Sequence, residues 1–136
     1  MKAITYDDLS YEDDGTYRLN GMRYAGAVRE FYPNGTMRSE TAFVDGHPQG
    51  LSREWYATGQ IEREETYFGD MLHGISKEWH PNGRLRRRAA CEYGICLELQ
   101  TWDESGALTS NFAISRTDQN YRFLEKLREI HGKEGH

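Results

Sequence analysis

The chain is short of the features that mark membrane and secreted proteins and of the motifs that mark many enzymes. It has no apolar run long enough to cross a bilayer, and its start, Met1-Lys2-Ala3-Ile4-Thr5, lacks the apolar stretch of a secretory signal. These absences lead to the expectation of a cytoplasmic protein. Basic residues are outnumbered, with 17 Lys and Arg against 22 Asp and Glu, giving a net charge of −5. That balance disfavours nucleic acid or an anionic membrane as the main partner and favours a basic protein. There is no Gly-x-Ser-x-Gly elbow, phosphate loop or dinucleotide fingerprint. His47, His73 and His80 lack any Cys/His ligand spacing around them, so neither a metal nor another cofactor is expected. The two cysteines, Cys91 and Cys96, do not form a Cys-x-x-Cys pair. Cys91 reads as a packed apolar residue, and a disulfide to Cys96 is not expected in a reducing compartment. Hydrophobic residues make up 37% of the chain and charged residues 29%, thin for a two-layer core but suited to a single sheet.

What the chain does have is a repeat. An aromatic is followed four residues later by Gly and two residues after that by an apolar side chain: Tyr11-Gly15-Tyr17, Phe31-Gly35-Met37, Trp55-Gly59-Ile61, Trp79-Gly83-Leu85 and Trp102-Gly106-Leu108. The glycines step by 20, 24, 24 and 23 residues, a period that marks a repeat architecture. Ala57-Thr58-Gly59, Pro33-Asn34-Gly35 and Pro81-Asn82-Gly83 read as three-residue hairpin loops whose last residue takes a positive φ. This register sets Trp55 against Ile61, and likewise Tyr11 against Tyr17, Phe31 against Met37, Trp79 against Leu85 and Trp102 against Leu108. By strict alternation Phe43, Tyr67, Cys91 and Ile114, six residues further on, share that face. A second turn at Asn20-Gly21, Asp45-Gly46, Gly69-Asp70 and Tyr93-Gly94 links the units.

The expected fold is mainly β: an elongated, single-layer antiparallel sheet of consecutive hairpins over residues 1–116, with a first strand around Ala3–Tyr6. From residue 117 the period changes. Thr117 or Asp118 reads as an N-cap, and Tyr121, Phe123, Leu124, Leu127 and Ile130 follow helical spacing. An amphipathic helix ending near Gly132, packed on the sheet, is expected over 117–136, with a frayed tail.

Units such as Gly50-Leu51-Ser52-Arg53-Glu54-Trp55-Tyr56-Ala57-Thr58-Gly59-Gln60-Ile61 and Gly74-Ile75-Ser76-Lys77-Glu78-Trp79-His80-Pro81-Asn82-Gly83-Arg84-Leu85 resemble MORN repeats, most closely the bacterial variant. The resemblance spans roughly residues 11–114. It departs from the pattern at the glycine missing before Trp102, and at His80 and Asp103, where Tyr is usual. It implies a hairpin sheet that binds proteins, and bacterial members commonly act as antitoxin or immunity components that neutralise a toxin by binding it. The family offers no catalytic residues to transfer, so a non-enzymatic role is expected. A self-assembling or scaffold module is the alternative, because open sheet edges invite pairing.

The partner-binding residues expected from the register are Glu30, Tyr32, Glu54, Tyr56, Glu62, Glu64, Glu78 and His80, on the face opposite the aromatic stripe. Carboxylates interleaved with Tyr suit a basic protein partner such as a toxin. Arg84, Arg86 and Arg88 are expected beside them, either as contacts or as cross-strand ion pairs. The Trp face is a second possible surface.

Overall fold

Each repeat folds as strand, turn, strand in a computed structural model that describes residues 2–133. Three short strands, β1 (Ser10–Tyr11), β2 (Tyr17–Leu19) and β3 (Met22–Arg23), form a small sheet. The main sheet has nine: β4 (Gly26–Phe31), β5 (Met37–Val44), β6 (His47–Trp55), β7 (Ile61–Phe68), β8 (Met71–Leu72), β9 (Gly74–Trp79), β10 (Leu85–Glu92), β11 (Ile95–Trp102) and β12 (Leu108–Ala113). Their order is β12-β11-β10-β9-β7-β6-β5-β4, with β8 paired to β7. Every pairing is antiparallel, and the sheet stays open. One helix, α1 (Gln119–Lys133), ends the described chain. Gly132 belongs to it, and residues 134–136 of the expected tail lie outside the described residues.

The turns have the expected chemistry. At the central hairpin the Tyr56 N–H donates to the Gln60 carbonyl at 2.8 Å and the Gly59 N–H to the Tyr56 carbonyl at 2.9 Å. Gly59 sits at φ 92°, where a Cβ would be strained. All five aromatic–apolar pairs fall opposite one another as expected.

Strict alternation fails one residue beyond the four pairs of the main sheet. Glu54 lies opposite Arg63 while Trp55 lies opposite Ile61, so Glu62 is an extra residue in its strand. Arg38, Arg86 and Thr109 are extra in the same way. Such a bulge puts two successive residues on one side and reverses the alternation beyond it. Phe43, Tyr67 and Cys91 therefore lie on the side opposite the aromatic–apolar pairs, correcting the expectation that they share a face. We call the side bearing Val28, Thr41, Phe43, Ser76, Ala89 and Cys91 the packed face, since all six are buried. The other is the open face.

Elements from both ends of the chain cover the packed face. Residues 3–6 do not add a full strand. Tyr6–Asp8 is a turn of 3-10 helix started by Thr5, whose N–H donates to Asp8. It sets the Tyr6 ring 6.1 Å from Phe43 and 5.7 Å from Tyr17. The small sheet is tied down at Gly46: the Tyr17 N–H donates to its carbonyl and its N–H donates to Tyr24. A Cβ on Gly46 would come within 2.8 Å of Thr16, so the close approach requires glycine.

At the far end, the Asp118 carboxylate accepts the Asn120 N–H at 2.8 Å and caps α1. Leu124 is fully buried, and Tyr121, Leu127 and His131 are partly buried. Phe123 and Ile130 remain exposed, so the packed stripe runs through His131 rather than Ile130. Arg128 holds the Glu92 carboxylate with two hydrogen bonds of 2.8 Å, and His131 stacks on Tyr93 at 4.5 Å.

Cys91 is buried as expected, but it is bonded to Cys96, against the expectation of a free thiol. The two-residue turn at Tyr93-Gly94 places residues 91 and 96 directly opposite one another on β10 and β11.

Candidate functional site

Across the middle of the packed face, between Tyr6 and α1, the strands leave a polar trough. One hollow of about 260 Å³ is lined by Tyr6, Thr41, Pro48, Ser52, Glu54, Arg63, Glu65, Tyr67 and Asp70. A second, of about 390 Å³, is lined by Tyr32, Arg38, Glu54, Trp55, Glu62 and Arg63. They share Glu54 and Arg63. The local sequence builds this trough because Glu precedes the hairpin aromatic in three successive units. The bulge then sets a charged pair, Glu62-Arg63 or Arg86-Arg87, on the same face one strand over.

The charges form a continuous network over four strands. Arg63 reaches Glu54 at 3.3 Å, Glu78 at 3.3 Å and Glu65 at 4.0 Å. Glu78 also meets Arg86 at 2.6 Å and Arg87 at 3.2 Å. Burial works against ionising Glu78, but the Arg86 hydrogen bond and Arg63 outweigh it and hold the carboxyl below its ordinary range. Burial equally opposes the charge on Arg63, and Glu54 and Glu78 overcome it. Glu65 differs. Burial pushes its carboxyl up, and Arg63 compensates only in part against Glu54 and Glu78.

The expected partner-binding residues divide into three groups. Glu30, Glu54, Glu62 and Glu78 lie on the packed face, with Glu54, Glu62 and Glu78 in or beside the trough. Glu64 does not join them: it is on the open face, paired with Arg53 at 3.0 Å as Glu40 is with Arg29 at 2.7 Å. Tyr32, Tyr56 and His80 reach sideways. The Tyr32 hydroxyl donates to the Trp55 carbonyl at 2.6 Å and that of Tyr56 to the Trp79 carbonyl at 2.7 Å. His80 Nε2 lies 2.9 Å from the Trp102 carbonyl; a carbonyl only accepts, so this nitrogen carries the proton. These three side chains link each hairpin to the next. Arg84 donates to the Ser105 carbonyl in the same manner, Arg86 enters the network, and Arg88 pairs with Glu98 at 3.4 Å. His47 and His73 sit apart from His80: His47 lies against Asp70 at 3.2 Å, and His73 Nδ1 accepts the Tyr93 N–H.

Arg63, Glu65 and Arg87 were not among the expected residues. The signal that exposes them is the paired charges Glu62-Arg63 and Arg86-Arg87 just past the apolar hairpin partner, where strict alternation allows only one outward residue. The disulfide also had a signal, since Cys91 and Cys96 flank Tyr93-Gly94 symmetrically.

A chain of consecutive hairpins at a fixed period defines a class of repeat protein, and comparison with known families agrees on the repeats. A model described as MORN repeat variant matches residues 25–45, 48–68 and 72–89. The chain is also 45% identical over 136 residues to Immunity protein YwqK of Bacillus subtilis (strain 168), an alignment covering 96% of this chain and 88% of that protein. The chain belongs to this family of bacterial MORN repeat proteins. The matched segments coincide with the three central hairpins that build the trough.

Proposed function

We propose that the chain is a non-enzymatic immunity protein that neutralises a toxin by binding it directly through the trough of the packed face. The relative's name supports the immunity role. The observation that carries the choice of surface is the Glu54–Arg63–Glu78 network, which fixes side chains from several strands in one geometry. Charges already locked in place lose little entropy on binding and discriminate between partners by position. Glu62 and Arg38 at the rim leave both signs of charge available, so the partner's surface matches in pattern and is not simply basic. This reading places the protein in the cytoplasm, where Cys91–Cys96 would be exposed to reduction.

Affinity capture from the native host, with mass spectrometry, tests the role. One stoichiometric partner, toxic when expressed alone and harmless when co-expressed with this chain, is the expected result. The variant Arg63→Glu should weaken that complex at least about tenfold. Capture of no such partner, or full protection by Arg63→Glu in a folded protein, overturns the reading. Cell fractionation checks the compartment.

A further inference from the structure

The two outermost strands of the main sheet differ in how their edges are closed. β4 is sealed by the start of the chain: the Arg29 N–H donates to the Ile4 carbonyl at 2.8 Å, and the Tyr6 N–H to the Glu30 carboxylate at 2.9 Å. β12 has no equivalent. All six of its residues are exposed, and among the described residues its backbone bonds only to β11. Just past it, the Ile114 N–H donates to the Leu97 carbonyl. Because an antiparallel ladder alternates inward and outward groups, the N–H and C=O of Asn111 and Ala113 point away from β11.

The composition of this edge is also unusual. From Gly106 to Ser115 there is no charge and no proline. Proteins ordinarily guard a free edge with lysine, proline or a covering loop, as this chain does at β4. The same end of the molecule leaves Leu108 and Phe112 about half exposed, with Phe123 and Ile130 similarly exposed on α1. Seven residues apart, the last two share one side of the helix.

We propose that β12 pairs antiparallel with β12 of a second copy about a two-fold axis, joining the two main sheets into one. An uncharged edge can face its own copy without opposing like charges, which a guarded edge cannot. Antiparallel pairing of identical strands is the arrangement a two-fold axis generates, and Phe112 then lies beside its symmetry mate's strand. Since β4 is closed, association stops at the dimer and does not run on into a fibre. The trough lies on the face of the sheet, so the inference stands apart from toxin binding.

Sedimentation velocity on the full chain from about 1 to 100 µM tests this, together with Asn111→Pro and Phe112→Lys. Proline at 111 removes an outward N–H and no bond to β11, so it blocks pairing and should spare the fold. The expected result is a monomer–dimer equilibrium in the native chain, with a dissociation constant raised at least about tenfold in both variants. Circular dichroism checks that each variant is folded. If Asn111→Pro fails to fold, Phe112→Lys, at an exposed side chain, carries the test. A native chain that stays monomeric throughout overturns the proposal, as does a dimer unmoved by Phe112→Lys or assembly that continues past two copies.

Discussion

The packed and open faces of the main sheet come from the same repeats but have different fates. The packed face holds Val28, Phe43, Ala89 and Cys91 under the Tyr6 ring and α1, with an ion network between these covers. The open face keeps the main sheet's four aromatic–apolar pairs and the Arg29–Glu40 and Arg53–Glu64 ion pairs, with Phe31 and Leu108 about half exposed. One bulged residue per hairpin makes the difference. Without it Phe43 would lie with Phe31, and Arg63 would face away from Glu54. A single inserted residue thus brings the buried core and the ion network onto one side of the sheet, because it decides which half of each strand is covered.

The largest effect should come from challenging burial itself. Phe43→Ala should cost about 3–5 kcal/mol in urea unfolding, while Phe31→Ala, on the open face, should cost less than about 1.5 kcal/mol. Equal costs would mean that the faces are not distinct.

The ion network should follow. Glu78→Gln leaves Arg63, Arg86 and Arg87 short of an acceptor and should cost about 1–3 kcal/mol at neutral pH. Glu78 has a lowered folded pKa, so its contribution is present above the ordinary carboxylate range and is lost as pH falls through that lowered value. The difference between native and variant proteins should therefore vanish on acidification. A difference that persists in acid would show that shape, not charge, is at stake.

Tyr56→Phe, which removes the hydroxyl donated to Trp79, should cost about 1 kcal/mol in thermal unfolding and leave partner binding nearly unchanged. Loss of binding without loss of stability would return Tyr56 to the interface.

The smallest effect has the opposite sign. Glu65 has a raised folded pKa, so the fold favours its neutral form, and that contribution is lost as pH rises through the raised value. Glu65→Gln should then gain up to about 1 kcal/mol at pH 7 and nothing in acid. A loss at pH 7 would show that the contact with Arg63 outweighs the burial of Glu65.

Much of this was legible in the chain. The spacing of Trp55, Gly59 and Ile61 announces a three-residue hairpin, because few residues but glycine accept that φ, and its register follows from loop length alone. The helix cap was legible to within one residue, as Thr117 or Asp118, since a capping side chain acts within two or three residues, and Asp118 takes the place. Harder to read were Glu62 and Arg38. At Glu62-Arg63 and Arg86-Arg87 the bulge shows as two adjacent charges, but at Arg38-Ser39 and Thr109-Ser110 the sequence has no such mark. For the candidate site, most of the carboxylates and the Arg86–Glu78 pairing were legible, but Arg63 and Arg87 were not. Arg63 joins Glu54 and Glu78 from two other strands only once the bulge has turned it over. Tyr32, Tyr56 and His80 were visible as a column, yet which carbonyl each would reach depends on how close the next hairpin lies.

By itself, the sequence determined what depends on residues close in the chain: the number of central hairpins, their turns, the five aromatic–apolar pairs, the helix and its start. Tertiary structure alone decided what depends on strand twist and on distant segments meeting. That includes the side on which each half-strand is buried, the Cys91–Cys96 bond, the choice of His131 over Ile130 against the sheet, and the closing of one edge by Ile4 while β12 stays open. Local rules act through torsions and short hydrogen bonds, whereas covering a face or an edge depends on which surfaces remain once every strand is in place.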